Sequence, residues 1–527
     1  MLMPTKLLLS FILIFLTCPL LHAEVRLPAL FCDHMMIQCD VPVRVWGWAD
    51  PAENVTVTFN GQKKSVVAGK DGFWTLILDP TPAGGPHGMT VAGKNGQVVI
   101  KDILAGEVWI GSGQSNMFWP VKQSKDAEKE IAAADWPEIR LFTVEQAVSD
   151  EPKTDCKGTW QVCSPKSVPE FSATAYYFGR ELHKRLKVPV GVIHSSWRGT
   201  SAECWISRPA LQALPPIYDT AVKEWGDYVT KYPERKAESE QAKIKYDQWR
   251  IEAKQADAKG LQRPPRPKYP YPWKDPVTEA PAPHRLYNAM IAPLIPYTIR
   301  GVIWSQGRAN YPWAIRYREL FPALIADWRK NWGQGESPFI FAQQGWSDDT
   351  PSQAPVNHSQ ASDLRESQLV TAKTVPHTAM VVTYDLGEFK QPHYANKQEK
   401  GRRLALCALA KAYGQKDVVY SGPAYQSMAV EGGKIRLRFD HVGSGLVLKE
   451  KRSDAKSGSF AVAGKNHKFV WAEASVEKDT VVVQSPEVPD PVAVRYLWNE
   501  YASCVLYNKE DLPAPPFRTD DWPTGNR

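Results

Sequence analysis

Gly106-Glu-Val-Trp-Ile-Gly-Ser-Gly-Gln-Ser-Asn-Met117 decides how the chain is read. Its apolar run, 107–112, has the length of a strand and lacks polar alternation, which fits a strand buried on both faces. The run ends in a glycine-containing turn, and Ser115 follows where a helix would begin. Four more runs of this kind occur at 188–195, 299–305, 338–344 and 378–386, separated by amphipathic stretches such as 172–187, 315–331 and 396–413. Strands alternating with helices predict an α/β domain with a parallel sheet covered by helices.

Working outward, residues 24–104 read as a small β-sandwich-like domain. Val41-Pro-Val-Arg-Val-Trp-Gly-Trp48 and Val55-Thr-Val-Thr-Phe59 alternate apolar and polar residues, and Asn60-Gly61 marks a turn. The α/β domain spans 105–420 and carries an insertion at about 209–285. Within the insertion, Ala237 to Lys259 predicts an exposed helix, and the proline-rich Pro264 to Trp273 predicts an extended segment. Such an insertion is either a surface excursion or one wall of an active-site cleft. Residues 421–527 form a second β-domain with a proline-rich tail. A chain of 527 residues is too long for one core, in keeping with this division.

The first 23 residues read as a secretory signal peptide: Lys6, an apolar run from Leu7 to Leu16, and a small residue, Ala23, before the cleavage point. The run is short for a membrane span. The expected product is secreted or periplasmic and free of the membrane after cleavage. Cleavage lowers the net charge from +7 to +6, and no basic tract interleaved with aromatics occurs, so nucleic acid is not an expected partner. Seven cysteines remain, an odd number. Cys32/Cys39 and Cys156/Cys163 are near enough in sequence to pair, but spacing alone does not establish it. No cysteine or histidine spacing matches a zinc site, so no metal is expected.

In a parallel α/β sheet, ligands bind beyond the carboxyl ends of the strands. Four of the five runs are followed there by polar or glycine-rich segments: Gly111 to Met117, Ser195-Ser-Trp-Arg-Gly-Thr200, Ser305-Gln-Gly-Arg-Ala-Asn310, and Asp385 to His393. Acyl transfer needs a nucleophile, a base and donors for an oxyanion. Ser115 is the candidate nucleophile and His393 its base. The N–H groups of Ser115 and Gly199 and the amide of Asn310 are candidate oxyanion donors. Gln114 and Trp197 are candidate substrate-binding residues. Trp119, Trp197 and Trp313 lie beside these motifs, either as stacking platforms for sugar rings or as core residues.

The 106–117 block resembles the nucleophile block of the sialate O-acetylesterase family, in the SGNH hydrolase superfamily. The resemblance extends over nearly the whole chain. It includes Leu27-Pro-Ala-Leu-Phe31, Tyr287-Asn-Ala-Met-Ile-Ala-Pro-Leu294, Asn396-Lys-Gln398 with Gly401-Arg-Arg-Leu404, and Pro515-Pro-Phe-Arg-Thr-Asp520. It implies a flavodoxin-like SGNH-hydrolase catalytic domain of three layers, no cofactor, and an acetylated carbohydrate as substrate. On this resemblance Ser115, Asn310 and His393 match the nucleophile, oxyanion-hole asparagine and base.

Three positions depart from the family pattern. Arg198-Gly199-Thr200 stands where Gly-Gly-Thr is usual, Gly307-Arg308-Ala309-Asn310 stands for Gly-Glu-Ser-Asn, and Gln391-Pro392-His393-Tyr394 stands for Asp-Ile-His-Pro. The last removes a carboxylate that orients the imidazole. Asp385 or Glu388 is the substitute, Asp385 first, unless a backbone carbonyl holds the ring. The other two place arginines at the pocket, where Arg198 and Arg308 suit an anionic group on the substrate. They also allow a rival, a catalytically impaired carbohydrate-binding paralogue. A third reading is an acetyl esterase for plant-type or anionic polysaccharides.

Overall fold

A single strand, Gln97–Gly113 (β1), ties the N-terminal part of the chain to the α/β part. Its first half pairs antiparallel with Gly84–Ala92, and its second half lies between two parallel strands. The point at which the sequence suggests a boundary, 104/105, therefore falls inside one strand. The computed structural model describes residues 25–267, 273–345, 354–387, 393–450, 458–499 and 502–524. The signal-peptide segment and Glu388 lie outside the described residues.

The parallel strands are β1, Trp136–Thr143 (β2), Val190–Ser196 (β3), Gly301–Ser305 (β4), Phe339–Ala342 (β5) and Thr378–Val381 (β6). They stand in the order β6-β5-β4-β1-β3-β2, and Trp160–Cys163 adds an antiparallel edge beside β2. Five of the six are the apolar runs of the sequence, and β2 is the one that periodicity did not pick out. Every residue of β3, β4 and β5 is buried, which explains runs without alternation. Without β2 the order is second, first, third, fourth, fifth, so the winding direction reverses between β1 and β4. That reversal leaves a crevice at the carboxyl ends of these two strands.

Helices cover both faces. On one face Ala173–Leu186 (α2) and Lys397–Lys411 (α6) bury Tyr176, Phe178, Leu182, Leu404 and Leu409 against Trp109, Val192 and Ile340. Ser172 caps α2 through Ala175 N–H, and Asn396 caps α6 through Glu399 N–H. The two helices cross closely at Gly401, where a Cβ would stand 2.7 Å from the backbone nitrogen of Phe178. On the other face Tyr317–Trp332 (α4) buries Phe321, Leu324 and Trp328 against Trp304, Phe339 and Phe341. The same core continues into Phe31, Trp46 and Trp74 of the N-terminal strands. In that region Asn60 and Gly61, both at positive φ, form the two-residue hairpin turn between Asn54–Phe59 and Gln62–Val67.

The insertion contains one helix of 44 residues, Pro215–Ala258 (α3), longer than the stretch its composition marked and with Pro233 inside it. Residues 268–272 of the proline-rich stretch lie outside the described residues. The C-terminal part is a seven-stranded sheet with a core of Ile435, Leu437, Val481 and Val483. It is fastened to Gln360–Thr374 (α5) by the Arg518–Glu366 ion pair and by Arg365, which donates to Asn499 O at 2.9 Å. All seven described cysteines are free thiols, so neither close pair is bridged. Among the described residues no helix is long and apolar enough to cross a membrane, and no group of acidic, His or Cys side chains could hold a metal ion.

Candidate active site

Ser115 is the first residue of a single helical turn, Ser115–Phe118 (α1), placed directly after β1. The turn is possible because of Gly113, whose φ is +127° and whose Cβ, if present, would stand 2.2 Å from Ser305 O. That close approach lets Gln114 N–H donate to Ser305 O (2.8 Å) and Gly113 O accept from Trp197 N–H (3.0 Å). The ends of β3, β1 and β4 are thereby joined at one point. The Gln114 side chain adds to the junction when its amide is turned over: in that orientation Nε2 donates to Thr200 O and Oε1 accepts from the N–H groups of Gly307 and Arg308, each at 3.2 Å. Gln114 is thus buried and set against three backbone groups of two loops, the place of a loop fastener and not of the substrate ligand expected.

The first N–H groups of a helix have no intrahelical acceptor. Ser115 N–H has no partner among the described residues, and neither does Gly199 N–H. Gly199 is exposed with φ +73°, and a Cβ built on it would meet nothing within 4 Å. Its N–H therefore borders open space beside the nucleophile turn.

Asn310 is 1% exposed, and its amide is occupied. Oδ1 accepts from Ala202 N–H (2.9 Å) and Gln306 Nε2 (2.6 Å), while Nδ2 donates toward both Glu203 oxygens (3.0 and 2.9 Å). Glu203 is buried, and burial raises its carboxyl pKa. Sequence reasoning missed Glu203 and Gln306. Their signal was weak: polar residues a few positions from the predicted donors, in loops that follow strands.

His393 comes from the segment before α6. Its imidazole stacks on Trp119, with centroids 5.3 Å apart and planes at 22°. The segment is tied to the nucleophile turn by Lys397 Nζ, which donates to Asn116 Oδ1 (2.8 Å), and by Lys125 N–H on Ala395 O (2.8 Å). Burial pushes the imidazole pKa down to about 4, with Lys397, Arg198 and Arg308 adding in that direction. Among the described residues neither Ser115 Oγ nor His393 has a hydrogen bond, so the nucleophile–base contact is not made in this state. Catalytic hydrogen bonds are often long in a free enzyme and tighten with substrate.

Asp385 is not brought to His393. Arg403 holds it in a bidentate ion pair, both contacts at 2.7 Å, and Arg403 also meets Glu399 at 2.8 Å. The expected triad acid is therefore an anion in the turn after β6 that is paired to Arg403 of α6. Trp197 is 7% exposed, and the ammonium of Lys274 lies 4.1 Å from its ring centroid. It is a core residue capped by the insertion, not an open platform. Trp119 and Trp313 are engaged as well: Trp119 faces His393, and Trp313 Nε1 donates to Glu224 of α3 at 2.8 Å. Through Lys274 and Glu224 the insertion reaches the loops that carry Gly199 and Asn310.

Arg198 and Arg308 are both exposed, and among the described residues neither pairs with a carboxylate. The Arg198 guanidinium lies 4.5 Å from the Phe118 ring centroid. Lys397, Arg198 and Arg308 thus act together on His393, and no carboxylate among the described residues is bound to it.

Comparison with known proteins bears on what such a site does. No family model matches the chain. The sialate O-acetylesterase of Rattus norvegicus is 31% identical over 544 residues, covering 93% of each chain. The chain belongs to the sialate O-acetylesterase family. The sialate O-acetylesterase of Homo sapiens is 29% identical, covering 90% of this chain and 88% of its own. A solved structure, that of a carbohydrate acetylesterase from Xanthomonas citri, superposes with a TM-score of 0.77 at 32% identity. It covers 94% of this chain and 100% of that one. Against the family pattern described above, this member lacks the carboxylate two residues before the histidine, and the structure supplies no substitute from Asp385.

This arrangement yields a direct test of Asp385. Asp385→Asn is expected to lower stability in chemical denaturation by roughly 3 kcal/mol, the scale for breaking a buried ion pair. Its kcat on an acetyl ester should stay within about tenfold of wild type. A loss near 10⁴, as for a triad acid, would restore Asp385 to the triad.

Proposed function

We propose that the protein is a secreted or periplasmic carbohydrate O-acetylesterase that works through an acetyl-enzyme on Ser115. The observation that carries this reading is the pair of unpartnered N–H groups, Ser115 and Gly199, flanking a serine at the crevice of the sheet in a sialate O-acetylesterase family member. Secretion rests on the signal-peptide character of residues 1–23. The strand order β3-β1-β4-β5-β6 with helices on both faces supports an SGNH-type, flavodoxin-like domain of three layers.

The steps follow from general acyl-transfer chemistry. Ser115 Oγ attacks the acetyl carbonyl carbon while His393 takes the hydroxyl proton. The carbonyl oxygen becomes an oxyanion held by Ser115 N–H and Gly199 N–H. Asn310 supplies a third donor. Its Nδ2 donates to both Glu203 oxygens (3.0 and 2.9 Å), so this role requires one of those contacts to be released when substrate binds. Collapse breaks the ester C–O bond, and the sugar oxygen leaves with the proton from His393. Water then attacks the acetyl group with His393 again as base, which releases acetate and restores Ser115. Arg198 and Arg308 bind an anionic group elsewhere on the substrate, such as a carboxylate or sulfate.

A second reading, a carbohydrate-binding paralogue with impaired catalysis, is favoured by one observation: among the described residues no carboxylate orients His393, and Asp385 is held by Arg403.

Acetate release from an activated acetyl ester and from acetylated neutral and acidic glycans separates these readings. Wild type should release acetate, and Ser115→Ala should reduce release by about 10³-fold or more. Arg198→Ala and Arg308→Ala should weaken turnover of the acidic glycans selectively. Equal loss on neutral esters would contradict anion recognition. No release from any substrate, with glycan binding retained by wild type and Ser115→Ala, would establish the binding-protein reading. The pH dependence is a further check. A histidine base acts when neutral, and the folded-state pKa lies below the ordinary value, so activity should rise with pH through about 4 and not near 6.5. An acid limb near 6.5 would contradict the cationic environment drawn for His393.

A further inference from the structure

The mechanism above uses neither of two buried amines on α6, those of Lys397 and Lys400. Lys400, in the first turn of α6, is fully buried. Its Nζ donates to Asn116 O at 3.2 Å and to Ser305 Oγ at 2.7 Å. Asn116 follows the nucleophile directly, and Ser305 is the residue whose carbonyl receives Gln114 N–H. One amine therefore bridges the two sides of the junction on which Ser115 stands.

The surroundings of Lys400 are uncharged or positive. From α1 it meets the Asn116 carbonyl, which also accepts from Thr174 Oγ1 of α2 at 2.8 Å. From β4 it meets the Ser305 hydroxyl. On its own helix Lys397, one turn earlier, donates to Asn116 Oδ1 and to Tyr394 O. His393 lies beyond Trp119. Behind it, Gly401 packs on Tyr177 and Phe178 of α2. Among the described residues no carboxylate pairs with Lys400; the nearby acids on α6 and its approach, Glu399 and Asp385, are bound to Arg402 and Arg403. A buried lysine without a counter-ion costs stability and normally marks a functional position.

We propose that Lys400 is a positioning residue for the nucleophile: its ammonium clamps the Ser115 turn to the end of β4 and places a positive charge beneath the point where the oxyanion forms. This rests on the reading of Ser115 as nucleophile. Burial alone lowers the Lys400 pKa to about 7. The folded-state value thus lies below that of the unfolded chain. Between about 7 and the ordinary lysine value the unfolded chain holds the proton and the native one does not, so stability rises with pH across that window. The cost of burying the charge is full below about 7. The charge assists catalysis in the range where it costs the fold most, so function and stability oppose each other at this residue.

The test compares wild type, Lys400→Met and Ser305→Ala in kcat, KM and thermal stability across pH 5–9.5, using an activated acetyl ester. Lys400→Met should lower kcat by on the order of 10–100-fold with KM little changed, the scale for small misplacement of a reacting group. It should also raise Tm, most at pH 5–6 and progressively less toward pH 9.5. Wild-type kcat should fall as pH rises through about 7, and this alkaline limb should be absent from Lys400→Met. Ser305→Ala removes one acceptor from the ammonium, so its limb should move to lower pH with a smaller loss of kcat. If Lys400→Met does not fold, the wild-type and Ser305→Ala limbs decide. Unchanged kcat in Lys400→Met, parallel loss of kcat and Tm, or limbs that coincide in wild type and Ser305→Ala would overturn the proposal while leaving the serine reading intact. An inactive wild type, or Ser115→Ala as active as wild type, would overturn the serine reading and this inference with it.

Discussion

The close approach of Gly113 to Ser305 is the constraint on which the site depends. A positive φ and 2.2 Å of clearance at the missing Cβ let the end of β1 lie against the end of β4. From that contact follow the Gln114–Ser305 and Trp197–Gly113 hydrogen bonds, the start of α1 at Ser115, and the placing of Gly199 beside it. A side chain at 113 would need both a strained backbone and a displaced carbonyl. The crevice exists because the winding of the sheet reverses between these two strands, and the glycine lets a serine stand at its mouth.

The parallel strands were legible because burial on both faces writes an unbroken apolar run into the sequence, as in Val190–Ser196 and Gly301–Ser305. That Ser115 and Gly199 stand in turns directly after strands was legible because an apolar run that stops at a glycine-containing polar segment marks a strand end. The partners of polar groups were not. Asp385 and His393 are near neighbours in sequence, yet Arg403, on the facing turn of α6, takes the carboxylate. Glu203 and Asn310 are separated by more than a hundred residues, and nothing local in either loop announces their hydrogen bonds. Lys397 and Lys400 carry no local signal of burial at the start of a helix. Only the packing of α6 against α2 and the nucleophile turn shows that both are buried. β2, and the full extent of the long helix α3, escaped for a similar reason: local pattern says little about edges and insertions.

The electrostatics of the site form one consistent picture. Positive groups gather around Ser115 and His393: Lys397 and Lys400 from α6, Arg198 and Arg308 from the loops after β3 and β4. Among the described residues, the site's carboxylates are bound elsewhere, Glu203 to Asn310 and Asp385 to Arg403. A field of this sign favours a neutral imidazole and a developing oxyanion, and it disfavours an imidazolium. An anionic substrate would offset part of that field on binding. The arginines, the lowered His393 pKa and the absence of a bound carboxylate are thus aspects of a single charge arrangement.

The central claim is that Ser115 carries the acetyl group between sugar and water, and its most direct test is to catch that intermediate. Wild-type protein mixed with an activated acetyl ester and quenched in acid should gain the mass of one acetyl group, located by peptide mapping on the segment containing Ser115. Ser115→Ala should gain none there. Acetate released at the wild-type rate without any covalent adduct on Ser115, or an adduct on another residue, would contradict the account.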